Sequence, residues 1–235
     1  MSDTQGIDQY LEPTYFVDSH SPAVISYARE RCLGKRTDVE KAIALYYGVR
    51  DDIRYDPYSM EDKPEAVTAS AVLKRRAGFC VPKAVLLTAV LRSRNIPARL
   101  GFADVRNHLV TQRLKAMMET DLFVYHGYVE IFLNGQWVKA TPAFNLTLCL
   151  NFNVKPLEFD GVHDSLFHEF DTRGQRHMEY VNDHGTFADL PYDQIYGAFR
   201  RHYPKILTRN ADRNADAFGR EALDERSRGG GRFNN

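Results

Sequence analysis

The stretch that most constrains the fold is Gly78-Phe79-Cys80-Val81-Pro82-Lys83-Ala84, which runs straight into an apolar segment at 85–91. From position 83 to about 94 the apolar residues lie nearly all round a helical projection, which marks a helix buried on most of its surface and hence the hub of the core. Asn95-Ile96-Pro97 stops it. A cysteine that follows a glycine-bearing turn and opens such a helix meets the positive end of the helix dipole, which lowers a thiol pKa and favours the thiolate. Cys80 is therefore the candidate nucleophile.

Two helices precede this one. Ser21-Pro22 reads as an N-cap with proline at the first helical position. Thr37 with Glu40 reads as a capping box, followed by Ala42, Ile43, Tyr46 and Val49 at helical spacing. A short helix opens at Thr68, Ala69 and Ser70 and leads through Arg75-Arg76 to Gly78. Downstream, 98–105 reads as a strand, 104–121 as a less regular stretch with a helical patch around Leu114, Met117 and Met118, and 146–152 as a further strand. Positions 176–181 and 186–190 suggest a second hairpin around Asp183, His184 and Gly185, and 191–203 a final amphipathic helix. These segments predict one domain over 1–206, with a core at about 37–145 and an extension at 146–206. The Arg-, Asp-, Asn- and Gly-rich remainder, 207–235, predicts a mobile or weakly helical tail.

Charge and cysteine content narrow the function. Lys+Arg and Asp+Glu balance at 31 each, so no global field points to nucleic acid or an anionic membrane, and a peptide, protein or small amide partner is expected. No run of eighteen apolar residues exists and the first residues are polar, so a cytoplasmic location is expected. Cys32, Cys80 and Cys149 form no CxxC pair, which supports neither a zinc site nor a disulfide framework, and Cys32 and Cys149 read as buried hydrophobes. His163, His168, His177 and His184 have no ligand-like spacing, and there is no EF-hand loop; no metal and no cofactor are predicted.

A thiolate needs a base, and the clearest hairpin in the chain supplies one. Asn134-Gly135 provides the two positive φ angles of a type I′ turn between 124–133 and 136–141. With Leu133 opposite Gln136, Tyr128 falls opposite Thr141, so His126, Tyr128, Glu130, Thr141 and, if the strand runs on, Asn145 share one face.

The run from Thr68 to Arg99, with Gly-Phe-Cys, Leu91-Arg92 and Asn95-Ile96-Pro97-Ala98-Arg99, resembles the core of transglutaminase-like proteins. So do the later His126, Glu130 and Gly135-Gln136-Trp137-Val138. The resemblance implies an α+β, papain-like fold in which the cysteine-bearing buried helix packs on an antiparallel sheet, with cysteine, histidine and aspartate following in that order. It assigns Cys80 and His126 to the active-site positions. At the third, Thr141-Pro142 stands where Asp-Pro is expected. A neutral hydroxyl accepts a hydrogen bond but does not stabilise an imidazolium as a carboxylate does; Asn145, or an acid such as Asp160, is the alternative orienting group. The resemblance implies a cysteine hydrolase of amide or peptide bonds acting through a thioester, with a protein-glutamine acyl transferase or a non-catalytic binding module as alternatives.

Overall fold

A computed structural model of the chain describes residues 6–107, 110–166, 178–208 and 216–229. The order of regular elements is α1 (Pro22–Arg31), α2 (Asp38–Asp52), β1 (Arg54–Tyr55), α3 (Ala69–Arg75), β2 (Ala77–Gly78) and α4 (Cys80–Arg92). Then come β3 (Ala98–Asn107), α5 (Gln112–Met118), β4 (Leu122–Leu133), β5 (Gln136–Ala140), α6 (Leu146–Phe152), β6 (Met178–Phe187), α7 (Tyr192–His202), α8 (Pro204–Thr208) and α9 (Ala217–Gly229). Strands β5-β4-β3-β6 form an antiparallel sheet, and β1 and β2 form a separate parallel pair. The class is α+β, as expected. No helix among the described residues is long and apolar enough to cross a membrane.

Helix α4 is buried along its whole length, as its all-round apolar pattern predicts. Its polar residues are spent on backbone groups that would otherwise lie orphaned in the core. Lys83 Nζ donates to the carbonyls of Arg50 and Ile53 where α2 ends, at 2.9 and 2.5 Å. The Arg92 guanidinium donates to the carbonyls of Ala98, Glu12 and Ala188 and so ties the far end of α4 to β3 and to both flanks of the sheet. Asn95 takes the left-handed conformation (φ 61°) that ends the helix, with Ile96 N–H returning to Leu91 C=O.

The first hairpin has the expected register, with Leu133 opposite Gln136 and left-handed Asn134 and Gly135 (φ 51° and 84°). The capping box of α2 is also formed, with Thr37 and Glu40 bonded reciprocally.

Two expectations are corrected, and part of the tail is described. Residues 146–152 form helix α6, not a strand: Leu148 and Cys149 are buried while Leu146 and Leu150 are exposed, the spacing of a helix face. A short apolar run carries no periodicity that separates the two. The stretch around Asp183, His184 and Gly185 is not a turn but the middle of the single strand β6, where left-handed Gly185 (φ 80°) accommodates an irregularity in the β3–β6 register. Its outer positions at 176 and 177 lie outside the described residues. The tail forms α9, and Phe218 and Ala222 are buried in the common core. Phe218 reaches Phe152, Tyr55 and Tyr58 with ring centroids 5.6, 5.8 and 5.9 Å away.

Candidate active site

Cys80 is the first residue of α4, directly after Phe79, whose extended backbone caps the helix without a side-chain bond. β1 and β2 hold that approach: Tyr55 pairs with Gly78, and Asp56 N–H bonds the Gly78 carbonyl. Opposite stands β4. Gly127 faces α4 so closely that a Cβ there would lie 3.1 Å from Val81 Cα and 3.3 Å from Ala84 Cβ. Only glycine lets the strand and the helix start approach to this distance.

The consequence is chemical. β5 ends at Ala140, opposite Val129, so the edge of β4 at Gly127 is not covered by β5. Gly127 follows His126 directly in β4. The backbone N–H groups of Gly127, Val81 and Cys80 itself, the last two free of helical partners in the first turn, act on the thiol in the direction that favours its thiolate.

The thiol nevertheless differs from expectation. Burial pushes its pKa up to about 11, and the three backbone N–H groups that favour the thiolate only partly offset this. Cys149 is likewise pushed up to about 11 by burial, and Cys32 is raised by the same cause. The helix start thus does not make Cys80 a thiolate in this closed form. Cys80 borders an enclosed cavity of about 30 Å³, walled by Leu114 and Met118 of α5, Val124 of β4, and Phe199 and Tyr203 of the α7–α8 region. The walls bring no charge to the sulfur.

His126 sits on β4 opposite Ala103 and is buried. By strand alternation it shares the face of Tyr128 and Glu130, as expected, and this face lies away from α4. Tyr128 covers Gly101, and Glu130 pairs with Arg99 at 2.6 Å.

Thr141 is the first residue after β5 and is buried; its N–H bonds Ser165 C=O, its carbonyl accepts from Tyr46, and its hydroxyl has no hydrogen-bond partner among the described residues. Asn145 is not on a continued strand. It precedes α6, and its Oδ1 accepts Tyr55 N–H at 3.0 Å. Asp160 bonds the exposed His163 ring at 2.7 Å and the backbone of Val162 and His163, which leaves it occupied locally. His184 bonds Asp104 at 2.7 Å, and His108, His168 and His177 lie outside the described residues.

Sequence reasoning missed Gly127 and Tyr203. A glycine inside a strand pattern signals close backbone approach; no comparable signal marks Tyr203.

The model of the transglutaminase-like superfamily matches residues 25–142, a span containing α4 and β3 to β5. The chain belongs to the transglutaminase-like superfamily. No curated protein matches it. Among solved structures, this superfamily member is similar to a candidate cysteine protease from Cytophaga hutchinsonii, with 17% identity and a TM-score of 0.47, over 79% of this chain and 55% of that one. It is also similar to a candidate protease from Parabacteroides distasonis, with 18% identity and a TM-score of 0.36, over 60% of this chain and 26% of that one. The chain therefore spans about half and about a quarter of the length of those two proteins.

Proposed function

We propose that this chain hydrolyses an amide or peptide bond, with Cys80 as nucleophile and His126 as base. The observation that carries the reading is the close approach of Gly127, the residue after His126, to the first turn of the buried helix that Cys80 opens, where a Cβ on Gly127 would lie 3.1 Å from Val81 Cα and 3.3 Å from the Cys80 carbonyl oxygen. In the reaction His126 takes the thiol proton and the sulfur bonds to the carbonyl carbon. The oxyanion that forms is stabilised by backbone N–H groups at the sulfur, those of Cys80 and Gly127. The C–N bond then breaks as His126 protonates the departing amine, leaving a thioester on Cys80. Water, deprotonated by His126, attacks the thioester, the acid leaves, and the thiol is restored. An amine taking the place of water makes the same site an acyl transferase. Thr141 takes the third position in this reading, with no charge to hold an imidazolium, and Asn145, whose Oδ1 accepts Tyr55 N–H, is the alternative for it.

One observation favours a second reading, a binding module without turnover: the thiol is buried with a raised pKa, and Thr141 replaces the expected acid. Alkylation with iodoacetamide at neutral pH, followed site by site with mass spectrometry, separates the two. The hydrolase reading expects Cys80 to react faster than Cys32 and Cys149, and His126→Ala to abolish the excess. Equal reactivity of all three in wild type supports the binding module.

A further inference from the structure

We propose that the outer edge of β4 beside Cys80 is a binding site for an extended peptide strand, and that α7–α8 close it by placing the Tyr203 hydroxyl where a substrate's backbone would bond. The proposal rests on the hydrolase reading only for the fate of the bound chain, not for the binding itself.

β4 runs from Leu122 to Leu133, but β5 pairs with it only from Val129 onward, so among the described strands its first half has β3 on one side and none on the other. Successive strand residues turn their N–H and C=O to opposite sides. Phe123 and His126 pair with Val105 and Ala103 of β3, so the groups that point outward belong to Leu122, Val124 and Gly127. One side chain holds two of the three: Tyr203 Oη donates to Leu122 C=O at 2.7 Å and accepts Val124 N–H at 2.6 Å, while Gly127 stands against the first turn of α4 at Cys80.

Leu122 C=O and Val124 N–H are the two groups that one residue of a parallel neighbouring strand engages with its own N–H and C=O. A phenol hydroxyl donates and accepts at once, so Tyr203 reproduces that pair with a single atom. An open edge beside a nucleophile is where an extended chain adds to a sheet. At about 3.3 Å per residue, a strand bonded at Val124 reaches Gly127 and the sulfur within about three residues.

The cavity under the roof, about 30 Å³ in this form, is too small for a side chain, but its walls have the chemistry that suits the same guest once the roof lifts. The cavity at Cys80 is walled by Leu114, Met118, Val124, Phe199, Tyr203 and Ile206, with no charged side chain, so the substrate residue nearest the sulfur carries an apolar side chain. Methionine at the wall adapts to different shapes. The roof is fastened at its rim rather than over the sulfur: Arg200 holds both oxygens of Asp62 at 2.7 and 2.9 Å, Tyr192 adds a bond to Asp62 at 3.0 Å, and Lys205 meets Glu119 at 2.6 Å.

The test uses the full chain with Cys80→Ala, which removes the thiol from the outcome, and an amide-capped, fluorescein-labelled peptide of alternating valine and threonine. Tyr203→Phe keeps the ring and frees both backbone groups, and Asp62→Ala loosens the rim without touching the edge. Fluorescence anisotropy should show each variant binding the peptide about tenfold more tightly, the factor expected when one or two net hydrogen bonds no longer compete. N-methylation of the peptide at every second residue should abolish the gain in one phase and spare it in the other. Binding unchanged in both folded variants, or an equal loss in both phases of N-methylation, overturns the proposal. The thiol-containing Tyr203→Phe protein with a valine-bearing peptidyl vinyl sulfone reads the other part. Period-two binding without capture at Cys80 upholds the edge site and refutes the hydrolase reading, whereas capture without period-two binding does the reverse.

Discussion

Gly127→Ala sets two effects against each other at the contact that builds the site. Removing a glycine from a strand gains about 0.4–1 kcal/mol through the unfolded chain where the backbone allows it, and Gly127 has no positive φ. Against that, the new methyl meets Val81 Cα at 3.1 Å and Cys80 O at 3.3 Å, both backbone atoms of the first turn of α4. These cannot rotate away as a side-chain tip would, so α4 and β4 must part by a few tenths of an ångström inside a close-packed core. Overpacking of this kind costs about 1–3 kcal/mol, so the loss outweighs the gain. At about 2–4 °C per kcal/mol for a domain of this size, thermal unfolding followed by circular dichroism should fall by a few degrees. The separation also moves Gly127 away from the first turn of α4 at Cys80, and since misplacement by about 1 Å costs on the order of 100-fold in rate, a shift of a few tenths of an ångström should lower Cys80 labelling and any turnover by roughly a few-fold beyond what lost stability explains. An alanine variant that melts at or above wild type with undiminished Cys80 labelling refutes the close helix–strand contact as the organiser of the site.

Burial lowers the Lys83 pKa to about 7, so unfolding takes up a proton between about pH 7 and the ordinary lysine value, and stability should rise with pH over that window; in Lys83→Met, urea melts should show the rise abolished. The Cys80 thiol has the opposite sign: its folded pKa of about 11 lies above the unfolded value, so its contribution is complete below about pH 9 and is lost toward pH 11, at about 1.4 kcal/mol per unit. Cys80→Ala should therefore flatten the alkaline loss of stability, leaving the share of Cys149. Thr141→Asp should raise turnover of any amide substrate by stabilising the imidazolium at His126, while Thr141→Ala changes it less than His126→Ala does; an inactive Asn145→Ala beside a fully active Thr141→Ala assigns the third position to Asn145 instead.

What was legible in the sequence followed from strong local codes. The all-round apolar pattern of α4, the Thr37–Glu40 capping box and the Asn134-Gly135 turn each dictate their own geometry, and together they fix the helix start and the register of the hairpin that carries His126. The errors lie where the code is degenerate or the deciding contact is remote. Leu146–Phe152 is too short for period 2 and period 3.6 to be told apart, and its helical form is settled by burial against α9, far along the chain. Gly185 carries a positive φ in either a turn or an irregular strand, and only β3 decides between them. Asn145 looked like a strand continuation because nothing local shows that β5 ends at Ala140; its side chain instead bonds Tyr55 N–H, a partner 90 positions away.

The thiol pKa has the same origin. The first-turn N–H groups that favour a thiolate are local and legible; the burial that outweighs them includes walls from α5 and α7–α8, which the sequence places 30 or more residues downstream. The two effects act on the same atom from opposite sides, and only one of them is removable. Lifting the α7–α8 roof admits water and lowers the desolvation cost, while the N–H groups of Val81, Cys80 and Gly127 stay fixed by α4 and β4. Under the proposed opening of the β4 edge, the helix-start activation of Cys80 would belong to the open form, and the groups that would move to reveal it are the ones that hold that edge. Access of the substrate and activation of the nucleophile are one conformational event, so in Tyr203→Phe the alkylation rate of Cys80 should rise and its titration midpoint should fall together. A rate that rises with no fall in the midpoint sinks this coupling.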